Sequence, residues 1–504
     1  DSDAHFDSIR VDAVDFTDAD LINIMGQYFK AAYGMNSDAK SNAHLNILEG
    51  WNSAIPAAIN KLGNPGLNMD DKMRQSFNGA LNFVSDSSSS SEKADQLKKL
   101  INNSLVDRTN DSSEGKAMPN YSFIRAHDSN SQDQIRQAIQ AATGQPYGKF
   151  TQAEEEKGME LYVKDQNSTD KTYNLYNMPA SYALLLTNKD TIPRVYYGDM
   201  YVDGSQYMSK KTRYYQAISN LMKSRVKYVA GGQSMNVDDN GVLTSVRYGK
   251  GAATADDKGT DETRNEGIGV IISNNSSLSL SDKDKVVLHM GAAHKNQEYR
   301  AVILPSSKAL DNGAVTNSYL HSYSSDADAP RAKTDDKGDL TFTNQDLKGQ
   351  DGTAIKGYSN PDMKGYVAVW VPVGAKDGQD ARTKASSTSK DAKSVYESNA
   401  AFDSNVIFEG FSNFVYYPTK ASEAANVQIA QNASLFKELG ITSFEMAPQY
   451  VSSKDKTFLD STIDNGYAFD DRYDVALSGN NKYGSAQDLR NALKALHKQG
   501  MQVM

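Results

Sequence analysis

The sequence predicts an α/β fold: a parallel β/α barrel interrupted by an all-β unit. Three observations predict it. Three short apolar segments near the start each end in a carboxylate. From about residue 226 the pattern changes to short strands separated by turn-rich spacers. From residue 405 it returns to β/α alternation. The strand C-termini of a β/α barrel meet at one face, and catalytic groups come from several of them. The 504 residues fit two or three domains. We place the first barrel part at 1–225, with a helical insertion at about 54–118, the all-β unit at 226–400, and the second barrel part at 401–504.

The first segment is Phe-Asp-Ser-Ile-Arg-Val-Asp-Ala-Val-Asp, residues 6–15. Ile9, Val11 and Ala13 alternate with Arg10, Asp12 and Val14, a mixed strand signal. Residues i and i+2 of a strand share a face, so Arg10 can hold Asp12 ionised and aimed at one point. A carboxylate nucleophile on a sugar carbon needs that arrangement. Taken alone, the pair reads equally as a structural Arg–Asp contact. The second segment, His44 to Asn52, ends its apolar run in Glu49, followed by Gly50 and Trp51. The third, Tyr121 to Asp128, ends in His127 and Asp128. Two carboxylates suffice for glycoside chemistry: one attacks the anomeric carbon, the other protonates the leaving oxygen, and in a retaining enzyme they stand about 5–5.5 Å apart. A third acid and a histidine can bind sugar hydroxyls as the oxocarbenium ion develops.

The remaining elements follow in order. A helix is expected over Ala19–Tyr33, and polar helical sequence over 54–118, broken at the serine run Ser87–Ser91. A helix around Gln132–Ala142 and a strand around Val195 complete the first barrel part. Strands are then expected at Val226–Ala230, Val242–Tyr248, Gly267–Ile272, Val286–Met290, Tyr299–Leu304 and Tyr366–Val373, with an Asn240-Gly241 hairpin turn. Trp370 reads as core. Lys384–Lys393, rich in Ser, Thr, Ala and charge, reads as an exposed linker. Strands at Ile407–Phe411 and Ile441–Met446 flank a helix over Ala421–Leu439 that Gly440 stops. A last helix, Ser485–His497, carries Leu489, Ala492, Leu493 and Leu496 on one face and leads into a strand.

Composition excludes several classes. The net charge is −9, from 63 acids and 54 bases, and no basic nucleic-acid face is present. With no cysteine there is no disulfide and no thiolate metal site. No 18-residue apolar run suggests a membrane span. No metal-ligating set is assigned. The 28 tyrosines suit carbohydrate surfaces and ordinary packing alike.

The three segments FDSIRVDAVD (6–15), HLNILEGW (44–51) and YSFIRAHDSNSQ (121–132) resemble three successive motifs of glucansucrases, the secreted sucrose-dependent glucosyltransferases of the α-amylase clan. The resemblance extends through NMPASY (177–182), IPRVYYGD (192–199), EGFSNF (409–414) and DNGYAFDDRY (464–473). It implies a circularly permuted (β/α)8 barrel with an inserted Greek-key domain. It also implies roles. Asp12 is the expected nucleophile, Glu49 the acid/base and Asp128 the transition-state stabiliser. Arg10, His127, Gln132, Asn413, Asp460 and Tyr467 are expected around the donor glucosyl unit, and Trp51 against the acceptor. The implied partners are sucrose and α-glucan or oligosaccharide acceptors, and the implied location is extracellular. By the same resemblance the chain reads as part of a longer enzyme, stopping before the last barrel motif, with unpaired strand edges and poor stability on its own.

Two positions depart from the family pattern, and a third segment is variable. Phe16 stands where an asparagine is usual, beside a calcium ion. Phenylalanine offers a hard cation no oxygen, which argues against calcium here. Gly50 replaces a frequent aspartate and removes a charge from the acceptor side. Ser129-Asn130-Ser131 lies where the family varies with linkage type. Two other readings stay open: an α-glucanotransferase acting on starch-like chains, against which Ile47-Leu48-Glu49-Gly50-Trp51 argues, and an inactive glucan-binding paralogue, against which the three intact acids argue.

Overall fold

The computed structural model describes residues 4–51, 66–102, 120–145, 149–189, 191–383, 399–457, 459–475 and 482–504. The expected linker Lys384–Lys393 lies outside them, as do residues 54–65 and 103–118 of the expected helical insertion.

Strands β1 (Arg10–Val11), β2 (Ile47–Leu48), β3 (Leu67–Met69), β4 (Asn120–Ser122) and β5 (Ile192–Tyr196) lie side by side and parallel. The chain then leaves this sheet and builds β6 (Gln233–Val237), β7 (Leu243–Arg247), β8 (Ile268–Ser273), β9 (Val286–His289), β10 (Glu298–Asp311), β11 (Thr316–Ser322), β12 (Arg331–Lys333), β13 (Asp339–Phe342), β14 (Tyr358–Asn360) and β15 (Met363–Pro372). It returns with β16 (Ile407–Glu409) directly beside β5, followed by β17 (Ser443–Glu445) and β18 (Gln502–Val503), all parallel. Eight parallel strands thus follow one another in chain order.

The sheet curls until its edges approach. The Asp7 N–H donates to the Val503 carbonyl at 2.8 Å, and the Val503 N–H donates to the Asp7 carboxylate at 2.8 Å. The result is a (β/α)8-like barrel, incompletely closed, whose two edges are clasped by one residue rather than left apart as expected. Ile47, Leu67, Tyr121, Phe123, Ile192 and Ile407 pack inside it.

Strands β6 to β15 are antiparallel throughout, six of them in the order β11-β10-β15-β8-β7-β6. The hairpin at Asn240-Gly241 forms as expected, with Val237 opposite Leu243 and Gly241 at φ +73°. Trp370 is fully buried against Phe342, ring centroids 5.1 Å apart. Leu243, Val270, Ile272 and Val369 share one apolar cluster with Leu184, Ile218 and Met222 from the helices Met178–Thr187 and Tyr215–Tyr228. At the junction Arg247 and Asp403 form a buried ion pair.

The helix Ala19–Tyr33 has the expected bounds, capped by the Asp18 side chain and closed by left-handed Gly34. The serine run does interrupt the helical sequence: residues 83–89 are non-helical between Asn78–Asn82 and Ser90–Leu100, and Ser89 caps the second helix in a reciprocal box with Glu92. Three expectations change. Val226–Ala230 is not a strand: residues 215–228 form a helix, because Ile218, Leu221, Met222 and Arg225 bury one continuous face. The region expected to be a helical insertion contains the barrel strand β3. The helix expected over Ala421–Leu439 is split at Asn432, whose side-chain amide donates to the Gln428 carbonyl at 2.8 Å.

Candidate active site

Asp12 follows β1 and Glu49 follows β2, so both stand at the C-terminal end of the barrel. Between them lies Arg10. Its Nη1 reaches the Asp12 Oδ1 at 2.7 Å and its Nη2 the Glu49 Oε2 at 3.2 Å. One guanidinium therefore holds both carboxylates. The backbone reinforces this. Ala13 takes a left-handed conformation, φ 46° and ψ 48°, which is costly for a residue with a Cβ. Its N–H donates to the Glu49 Oε2 at 2.9 Å, and the Val14 N–H to the Glu49 carbonyl at 3.0 Å. The turn after Asp12 is thus tied to the strand that carries Glu49.

The third acid arrives on the loop after β4. Asp128 Oδ1 accepts from the Ser129 N–H at 2.6 Å. The His127 Nδ1 lies 2.5 Å from Glu409 Oε1, and its Nε2 lies 3.8 Å from Asp128 Oδ2. An ionised Glu409 only accepts, so Nδ1 carries a proton. Tyr467 stacks on His127, centroids 5.2 Å apart and planes 12° apart, and its hydroxyl accepts from Arg10 Nη1 at 3.3 Å. Asn413 Nδ2 donates to Gln132 Oε1 at 2.8 Å and to the His127 carbonyl at 3.5 Å.

Beneath these groups lies a second layer of charge. Glu409 and Glu445 end β16 and β17 at matching register, a like-charge pair. Arg194 of β5 joins them. Its Nε and Nη2 donate to Glu445 at 2.7 Å each, and Nη2 also lies 2.9 Å from Glu409 Oε1. Arg10 Nε adds a 3.7 Å contact to Glu445. A bidentate guanidinium is the group suited to this task. The signal that finds Glu409 and Glu445 is the one that finds Asp12 and Glu49: a short apolar strand ending in an acid. Lys482 is a further addition. Its Nζ donates to the carbonyls of Asn413 at 3.1 Å and Ile463 at 2.7 Å, joining two loops that border the site.

These surroundings set protonation. Burial first, with Asp128 and Asp12 adding to it, pushes the Glu49 carboxyl up to about 7, against the pull of Arg10 and the Ala13 N–H. Burial also opposes ionisation of Asp128, but His127, Arg10 and Arg194 outweigh it and hold this carboxyl well below the usual range. For His127, burial favours the neutral ring, and Asp128 and Glu409 overcome it, so its pKa is raised. Two carboxyls in one site are driven apart, one toward a proton donor and one toward a fixed anion.

The profile of glycosyl hydrolase family 70 matches residues 1–504. This chain belongs to glycosyl hydrolase family 70. Over 513 residues it is 50% identical to Glucosyltransferase-I of Streptococcus mutans, covering all of this chain and 33% of that protein. It is also 50% identical over 515 residues to Glucosyltransferase-I of Streptococcus downei, covering all of this chain and 31% of that protein. The chain thus spans about a third of these relatives. Among solved structures, alternansucrase in complex with isomaltotriose is 47% identical with a TM-score of 0.89, covering 99% of this chain and 46% of that one. A truncated alternansucrase from Leuconostoc mesenteroides gives 46% and 0.89, covering all of this chain and 46% of that one.

In this family 70 chain, Arg10, Asp12, Glu49, His127, Asp128 and Tyr467 form one contact network, with Asn413 and Gln132 behind His127. Asp460 stands one step away. Its Oδ1 accepts from Asn465 Nδ2 at 2.9 Å, and Asn465 Oδ1 in turn accepts from the Tyr467 N–H at 3.0 Å. Trp51 lies at the rim, 45% exposed, with its N–H donating to Asp15 at 2.6 Å and the Arg74 guanidinium 5.5 Å from its ring centre. Arg74 also donates to Asn130 Oδ1 at 3.3 Å, so Trp51 and the variable tripeptide share a partner. Phe16 is 91% exposed and supplies only carbon where a calcium ligand is usual. That donor chemistry does not fit calcium at this position.

Proposed function

We propose that this chain carries the donor site of a sucrose-dependent glucosyltransferase that builds α-glucan by retaining double displacement. Asp12 attacks the anomeric carbon of the glucosyl unit. Glu49, whose raised pKa of about 7 keeps a substantial protonated fraction at neutral pH, gives its proton to the departing fructosyl oxygen. A β-glucosyl ester forms on Asp12. That step removes the Asp12 charge, which helps hold the Glu49 pKa up. Glu49, already deprotonated, then stays ionised more readily, and as a base it takes the proton of an acceptor hydroxyl. Asp128 stabilises the positive charge that develops on the ring, and His127 binds a sugar hydroxyl. Tyr467, backed by His127, is the platform under the ring. The acceptor is an α-glucan or oligosaccharide passing Trp51; the isomaltotriose bound to alternansucrase supports that class.

The observation that carries this reading is the shared guanidinium. A single Arg10 guanidinium contacts both carboxylates. We further propose that the antiparallel unit is a Greek-key domain inserted into a circularly permuted barrel, with boundaries near 226 and 400, and that the enzyme acts outside the cell. The test uses the full-length protein with sucrose, following fructose, glucose and polymer separately. Fructose is expected to exceed glucose, and Asp12→Asn to abolish both fructose release and polymer. Sucrose left intact by the unmodified enzyme would reject the reading.

A further inference from the structure

We infer that His5, Asp7 and His497 form a binding site for a divalent transition cation, with Zn2+ as the reference ion, which fastens the barrel seam on the face opposite the catalytic carboxylates. Asp7 precedes β1 and Asp12 follows it, so the two carboxylates sit at opposite ends of one strand. The His497 Nε2 lies 2.8 Å from Asp7 Oδ2, and the His5 Nε2 lies 3.3 Å from Asp7 Oδ1. One ligand atom from each residue lies within 4.8 Å of the other two. The imidazole rings are 4.7 Å apart at 33°. Bonds of about 2.0–2.2 Å from a tetrahedral ion put its donors roughly 3.4 Å apart; the 2.8 Å His497–Asp7 pair would open to admit an ion, and the wider separations in the trio, none above 4.8 Å, would close on it.

The donor set decides the class of ion. Two imidazoles and one carboxylate suit zinc and its first-row neighbours, whereas a hard cation such as calcium takes oxygen. Three protein ligands leave room for solvent, and a cavity of about 460 Å³ lies against Asp7 and His497, bordered by Asn42, Ser404, Asn405 and Gln502. The ligands are also held from outside, as metal ligands usually are. The Val503 N–H donates to Asp7 Oδ2, and the His44 Nδ1 lies 2.8 Å from the Asp7 carbonyl. Asp7 is the residue whose N–H closes the sheet onto β18. An ion here would join the N-terminal segment, the last helix Ala486–Lys498 and that closure in one knot.

The full-length protein, dialysed free of transition metals, is titrated with Zn2+ by calorimetry and by thermal unfolding. One Zn2+ is expected to bind and raise Tm. His5→Ala and His497→Ala should each weaken binding by at least about tenfold, the scale on which altered metal sites lose affinity. His5 is half exposed, so His5→Ala should keep the metal-free Tm and sucrose turnover while losing the zinc-dependent rise. That variant carries the test alone should His497→Ala fail to fold. A wild-type protein whose Tm ignores zinc, or a His5→Ala variant that binds zinc as tightly as wild type, would overturn the assignment.

Discussion

At the scale of single residues, the site is a set of charges whose protonation is fixed by neighbours. Glu49 must carry a proton to act as acid, and its pKa is pushed up to about 7. The rate of fructose release should therefore fall as pH rises through about 7, the side on which the acid is lost. Asp128 is one of the charges raising Glu49, so Asp128→Asn should move that alkaline limb to lower pH as well as lower the rate. A pH–rate profile of both proteins checks this, and an unmoved limb would refute the assignment of Glu49 as acid. Trp51 stands at the rim, outside the charge network. Trp51→Ala should leave fructose release within a few fold but raise the share of glucose over polymer, measured in the same assay; equal loss of both would place Trp51 in the donor site instead. Asp12, Glu49 and Asp128 are legible in the sequence because each ends an apolar run. Glu409 and Glu445 obey the same rule. Their purpose is not legible, because it depends on Arg194, more than two hundred residues away from both in sequence. The His5–Asp7–His497 trio is hidden for the same reason, its members lying at opposite ends of the chain.

At the scale of elements, neighbouring strands build the site by register. Glu409 and Glu445 are paired residues of β16 and β17, and two adjacent acids facing one side of a sheet repel unless a cation stands between them. Arg194 supplies it. Arg194→Ala should leave two buried carboxylates without their main partner and cost about 3–5 kcal/mol, read as a fall in the urea midpoint. Arg194→Lys, unable to form the paired contact, should recover only part of it. A loss under about 1 kcal/mol would mean that water replaces the guanidinium freely. Elements with strong local signals are legible, such as the helix from Asp18 to Gly34 and the Asn-Gly hairpin. Val226–Ala230 is misread because Val226 and Tyr228 favour strands locally, while burial of Ile218, Leu221 and Met222 keeps the chain helical. β1, β2 and β18 are only two residues each, and their existence is a property of the whole sheet rather than of their sequence.

At the scale of the whole molecule, barrel and antiparallel unit share one apolar cluster and a buried Arg247–Asp403 pair. Trp370 sits on the other face of the same strand as Val369, which belongs to the shared cluster. Trp370→Ala should cost about 3–5 kcal/mol, and circular dichroism and active-site fluorescence should report one lower transition together. Two separated transitions would mean that the antiparallel unit unfolds by itself. Arg10 has a consequence at this scale too. Asp12 and Glu49 are both tied to Arg10, whereas Trp51 and Phe16 stand in solvent and Asn130 answers to Arg74. On the function proposed above, a substitution at the exposed rim would alter which acceptors are met without touching the Arg10 contacts to Asp12 and Glu49, so changes of acceptor need not disturb donor cleavage.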